Sequence, residues 1–143
     1  MMRRAIGCVW VSPAAVVVWL FYLLPFWALG YLRFVRRFQG EPVVLFEARF
    51  RDAWYSRFWN RLWEGWGGHC VPLAVVSKHI DNDHHLAHEL GHHRQHLALG
   101  PFFVVVYLVL LAFYGYGAHP LEIDAEAYAN RVTGLVTSAT VRR

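Results

Sequence analysis

Three side chains in this sequence have the types and the spacing for chemistry: His88, Glu89 and His92, within Leu86-Ala87-His88-Glu89-Leu90-Gly91-His92-His93-Arg94-Gln95-His96. On a helix, histidines four residues apart project from one face about one turn apart, so both imidazoles can grip one metal ion. Glu89 then stands beside the pair, placed to hold a water and take its proton. The pattern fixes only three positions in a chain with nine histidines, so the plain alternative is a histidine-rich polar helix without metal. A third ligand would separate the two, which turns attention to the elements that must supply it.

The motif has readable ends. Asp81-Asn82-Asp83 are residues that turn a chain and cap a helix, and Gly100-Pro101 supplies a glycine after the last turn followed by a helix stop. A helix from about His84 to Leu99 is expected. Cys70 to Lys78 looks β-rich, with Pro72 arguing for an edge position, and Pro42 to Phe46 reads as a short strand. An edge strand beside the motif helix could receive an extended peptide by main-chain pairing.

Leu97 to Ala118 is uncharged and, taken alone, has the length of a membrane span. A span would put everything after it across the bilayer from His88 and His92. A hairpin instead turns at Gly100-Pro101 and returns along a buried or membrane-dipping core helix from Phe102 to about Phe113, with Gly115 and Gly117 forming a loop beside the metal. Next comes His119-Pro120-Leu121-Glu122-Ile123-Asp124-Ala125-Glu126, where Pro120 suits a helix start and Glu122 and Glu126 lie four apart on one face.

At this point the sequence resembles the gluzincin class of zinc metallopeptidases, in which a His-Glu-x-x-His helix is completed by a glutamate on a later helix. It also looks like small bacterial and phage zincin-like proteins, over about residues 70–130. The resemblance implies Zn²⁺ held by His88, His92 and Glu122, Glu89 as general base, and Glu126 holding a ligand histidine where aspartate is more usual. His119, Asp124 and Glu126 remain rival third ligands. His96 lies one turn further along, and three histidines from one straight helix converge poorly. Gln95 and Ala98 stand where a metzincin needs glycine and histidine, so that class is excluded. His119 and Tyr128 are the nearest donors for a developing oxyanion.

The rest of the chain places this unit at a membrane. Ala5 to Leu32 carries no charge, and Val9–Leu32 is long enough to cross a bilayer and too long for a cleaved leader. Residues 1–61 carry nine Arg against Glu41, Glu47 and Asp52, whereas residues 62–143 carry five bases against seven acids. A basic half beside an anchor points to anionic lipid and not to nucleic acid, and the basic residues after the anchor lean towards a cytoplasmic C-terminal part. Trp54, Tyr55, Phe58, Trp59, Leu62, Trp63 and Trp66 recur at helical spacing, as in an amphipathic helix of the membrane interface. Cys8 and Cys70 are not an expected disulfide pair.

The expected fold is therefore mainly α: an N-terminal transmembrane helix, then a small α+β zincin-like domain with a helical-hairpin core. The expected segments are an anchor at 1–37, a Trp-rich juxtamembrane part at 38–68, a catalytic domain at 69–135 and a tail at 136–143. The expected function is a membrane-anchored zinc endopeptidase acting on a peptide or protein. A zinc-binding but non-catalytic membrane scaffold, or a phage structural or host-interaction protein, is the alternative.

Overall fold

The computed structural model describes residues 2–37, 41–49 and 67–140. The chain is mainly helical with one small sheet. It opens with an apolar helix, α1 (Met2–Val18), continuing through a π-helical turn at Trp19–Leu23 into α2 (Leu24–Ala28). The wide turn has a local cause: the Pro25 ring clashes with the carbonyl four residues earlier and offers no N–H to it. Val11–Ala28 is long and apolar enough to cross a membrane. The uncharged run does not stay helical to Leu32, because Gly30 adopts φ 78° and the Tyr31 amide bonds back to the Phe26 carbonyl at 2.8 Å.

Strand β1 (Leu32–Arg37) follows at once, so the arginines expected to flank an anchor lie on a strand instead. Strand β2 (Val44–Ala48) pairs antiparallel with β1, and β3 (Gly68–Val71) and β4 (Ala74–Ser77) form a hairpin. The sheet order is β1-β2-β4-β3, with β2 and β4 parallel. Residues 70–78, expected as one edge segment, thus divide between an edge strand and a fully buried inner strand. Pro72 marks the turn between them, with Leu73 at φ 63° in the position where a type II turn needs a positive φ. The Trp-rich helix expected at 52–64 lies outside the described residues.

Period-two alternation gives the sheet two apolar faces. Phe46, Ala74 and Val76 pack with Leu23 and Leu32 beneath Val18, Trp19, Tyr22 and Phe26. On the other face Val43, Leu45 and Val75 pack against Leu86 and Leu90 of α3 (Asp83–Leu99). The second half of the N-terminal helix is therefore a wall of the domain, tied to it by Trp19 donating to the Pro72 carbonyl at 3.2 Å and by a Tyr22–His69 hydrogen bond at 2.9 Å. A buried Leu of this kind contributes about 1.5–3 kcal/mol.

Helix α3 begins and ends where its caps demand. The Asn82 side chain accepts from the His85 amide at 3.0 Å, and Gly100 at φ 60° ends the last turn. A 3₁₀ turn (Gly100–Phe102) leads into α4 (Phe103–Tyr114), and α5 (Pro120–Thr140) completes the fold. The expectation of a buried hairpin core is corrected here. Only Phe103 of α4 is buried, while Val104, Val105, Leu108, Val109 and Phe113 are exposed. The close partner of α3 is α5, whose Ala125 and Ala129 are fully buried. With valine and leucine on every side, α4 offers no single stripe to a core, whereas α5 does.

The inner side of α3 also buries His93 and His96. The His96 ring lies 3.8 Å, centroid to centroid, from Phe103. Burial, aided by charge on His93 and His92 and opposed by a hydrogen bond to the Cys70 backbone, lowers its pKa to about 4. Its proton is therefore bound more tightly in the unfolded chain. The contribution of His96 itself to the stability of the metal-free protein is full above pH 6.5 and falls as pH drops towards 4, by on the order of 2–3 kcal/mol. Thermal melts in detergent of the protein and of His96→Leu, compared pH by pH, should show this loss in the difference between the two.

Candidate functional site

The site depends on how closely two helices approach. A β-carbon added at Gly91 would sit 2.8 Å from Ala125 Cα and 3.0 Å from its Cβ. Glycine inside the motif thus lets α5 lie directly against α3. His88 and His92 on one helix then face Glu122 and Glu126 on the other.

The three expected ligands come together. His88 Nε2 lies 3.3 Å from Glu122 Oε2, His92 Nε2 lies 3.3 Å from Glu122 Oε1, and the two Nε2 atoms are 3.2 Å apart. All three residues lie in reach of a single ion. Glu126 Oε2 meets His88 Nδ1 at 3.2 Å, in the supporting place expected of it. Glu122 is held well below the usual carboxylate range, since burial would raise it but hydrogen bonds from His88, His92 and Tyr107 outweigh that. The same hydrogen bond to Glu122 raises His88, with burial opposing.

The outer ring nitrogens show whether the set suits a metal. Gln95 Nε2 donates to the Leu121 carbonyl at 2.8 Å and to Asp124 Oδ2 at 2.9 Å, two acceptors that fix which way the amide points. Its Oε1 therefore faces His92 Nδ1, 2.9 Å away, and that nitrogen must carry the proton. Glu126 imposes the same tautomer on His88. With the rings neutral, both Nε2 lone pairs converge with a carboxylate, so the cluster calls for positive charge: ring protons donated to Glu122 in the metal-free chain, or a cation in their place. Two imidazoles and one carboxylate are a donor set that Zn²⁺ accepts.

Glu89 is 4% exposed, and its Oε1 lies 3.9 Å from His85 Nε2. Burial, opposed by His92 and His88, raises its pKa to about 7. It shares with the ligands a cavity of about 550 Å³. One wall of that cavity is the outer strand β3 from Gly68 to Cys70, and the opposite wall is Phe103, Val104, Tyr107, Leu108 and Leu111 of α4.

Other expected residues do not join the site. His119 is fully buried at the start of α5, where its Nδ1 accepts from the Leu121 amide at 3.2 Å and its Nε2 donates to the Tyr107 carbonyl at 3.0 Å. With both nitrogens used, it cannot serve as an oxyanion donor or third ligand. Tyr128 stacks under the Arg94 guanidinium at 4.8 Å and does not line the cavity. Asp124 anchors Gln95 and His96 packs on Phe103, so neither competes for the metal.

Sequence reasoning passed over three residues here. Tyr107 donates to Glu122 Oε1 at 2.6 Å, Tyr116 reaches the same cavity from the loop between Gly115 and Gly117, and His85 stands beside Glu89. His85 had a legible signal, being one helical turn before His88 and Glu89; the tyrosines had none.

No protein-family model, curated protein or solved structure matches the chain. The functional reading therefore rests on these side chains.

The chain is expected to bind one Zn²⁺ by metal analysis, and Glu122→Ala should remove it. Glu126→Gln should weaken it by about 10–100-fold, as loss of a partner to a ligand histidine does. Gly91→Ala must push α5 outward, so it should cost about 1–3 kcal/mol in melts of the metal-free protein and lower zinc affinity as well.

Proposed function

We propose that this chain is a membrane-attached zinc endopeptidase of gluzincin-like type. One observation carries the reading: Glu122, thirty residues beyond the motif in sequence, lies 3.3 Å from both histidine Nε2 atoms. Metal held by His88, His92 and Glu122 would supply a Lewis acid that polarises a carbonyl and acidifies water.

Glu89 takes the proton of the attacking water. A buried carboxylate beside the ligands suits this task, because it accepts a proton and then gives it up to the departing amine nitrogen. Tyr107 fixes Glu122 through its 2.6 Å hydrogen bond. Tyr116, which lines the cavity from a loop whose Gly115 adopts φ 67°, is the phenol we assign to a substrate carbonyl oxygen.

A peptide substrate is favoured by the place of β3, which is an outermost strand of the sheet among the described residues and forms one cavity wall, where an extended chain could pair with it. Val71 and the Pro72-Leu73 turn end that edge on one side.

Glu89→Gln should leave zinc bound and cut hydrolysis of a peptide library by about 10²–10⁴-fold. Tyr116→Phe should lower kcat by about tenfold or more with little change in KM. Hydrolysis that survives Glu89→Gln would overturn the assignment, and a zinc-loaded chain that cleaves no peptide would leave a metal-binding scaffold.

A further inference from the structure

We infer that α4 is embedded in the same bilayer as the N-terminal helix, and that the cavity opens sideways into lipid between Val104 and Leu108. The substrate class that follows is a chain already held in or at the membrane.

Helix α4 carries no charged residue, and its stretch is more apolar than the N-terminal helix and less buried. Its exposure is not confined to one stripe. Val104 and Leu108 are exposed on one side, and Val105, Val109 and Phe113 on the next. A second protein surface covers a strip of a helix; lipid covers whatever is left, and an all-round apolar helix outside a core is one that lipid surrounds. Aromatic side chains mark both ends, Phe102 at one and Tyr114 and Tyr116 at the other, the distribution that sits well at a membrane–water boundary. A helix of twelve residues is about 18 Å long, too short to cross both leaflets, and lying within one leaflet it keeps both ends near the same boundary.

The two apolar helices are joined through one turn. Helix α1 touches the 3₁₀ turn at Gly100–Phe102, from which α4 departs. Val16, Val17, Leu20 and Phe21 of the N-terminal helix point away from the sheet.

The sideways opening rests on two residues with a double role. Val104 and Leu108 line the cavity, yet they are 56% and 57% exposed. The wall beside His92 and Glu122 is thus one side chain thick and borders the surface that lipid covers. A peptide segment flanking a membrane helix can reach the ligands through it without leaving the bilayer surface.

The substrate part of this inference rests on the peptidase reading; the placement of α4 does not. Nitroxide labels at Val105, Val109, Val104 and Leu108, each singly in the full chain with Cys8 and Cys70 replaced by serine, would be read in vesicles of phosphatidylcholine with a minority of phosphatidylglycerol. These positions are exposed, so labelling should not disturb folding. At all four, collisions with oxygen should exceed those with an aqueous nickel chelate, and a label at Arg131 should show the reverse.

Chelate access at 105 and 109 would overturn the embedding. So would dipolar broadening that vanishes on dilution with unlabelled protein, which would mean that a second copy covers the face. Chelate access confined to 104 and 108 would overturn the sideways opening.

In the same vesicles, a cleavable peptide fused to one membrane helix should be cut at least about tenfold faster than the same peptide free in solution. Val105→Asp with Val109→Asp should erase that preference and spare cleavage of the free peptide. Equal rates on the two substrates would overturn lipid-side access. If neither is cut, the peptidase reading falls while the labels still decide where α4 lies.

Discussion

The contact between Gly91 and Ala125 sets the distance on which the rest of the site depends. Two helices packed through ordinary side chains stand about 8–10 Å apart. At that spacing a glutamate on one and a histidine pair on the other meet only if neither helix is pushed back by intervening bulk. The motif leaves two positions open between Glu89 and His92, and this chain spends the second on a residue with no side chain. Ala125 and Ala129, both fully buried, continue the narrow seam on the other helix. Glu122 and Glu126 flank the seam's first alanine, so one close approach aims both carboxylates at the imidazoles.

Around that seam the polar groups are arranged so that each partner fixes the next. Gln95 is oriented by Leu121 and Asp124, and it in turn orients His92. His119 joins the start of α5 to α4 with both of its ring nitrogens, and Tyr107 of the same α4 turn reaches Glu122. Buried polar groups are costly when unpaired, so a network of this kind has few alternative arrangements. The pairing is not complete: Glu89 Oε2, His85 Nε2 and both ring nitrogens of His93 are buried without a hydrogen-bond partner among the described residues.

How much of this was legible in the sequence depends on whether the signal was local. Helix α3 could be read at both ends because Asn82 and Gly100 act within a turn of themselves. Glu122 and Glu126 could be read because spacing by four survives as a pattern. The helical hairpin could not, since an uncharged run such as Leu97–Ala118 looks alike whether protein or lipid covers it; burial is set by a partner that the run itself does not encode. The anchor's limit at Gly30 was hidden for a related reason, because hydropathy carries through Tyr31 and Leu32 while the backbone changes from helix to strand. Pro72 signalled a break in β structure but not its kind. His119 was a reasonable candidate by proximity, yet a residue opening a helix has unpaired backbone groups beside it, and its ring answers those first.

The N-terminal helix, long and apolar enough to cross a membrane, is packed on the domain and does not hang from it by a linker. Leu23 is fully buried against the sheet, and Trp19 and Tyr22 bond to the β3–β4 hairpin, while Leu20 and Phe21 on the same turn face outward. A helix fixed on one side to the strand that walls the cavity would, with lipid on its other side, hold that cavity at one depth and one angle. Tyr22 reaches His69 of β3, so the strand that walls the cavity is braced by the apolar N-terminal helix. Helix α4 has valine and leucine around its circumference and leaves many of them exposed, and Val11–Ala28 is long and apolar enough to cross a membrane; if α4 is embedded as inferred above, one bilayer would cover both.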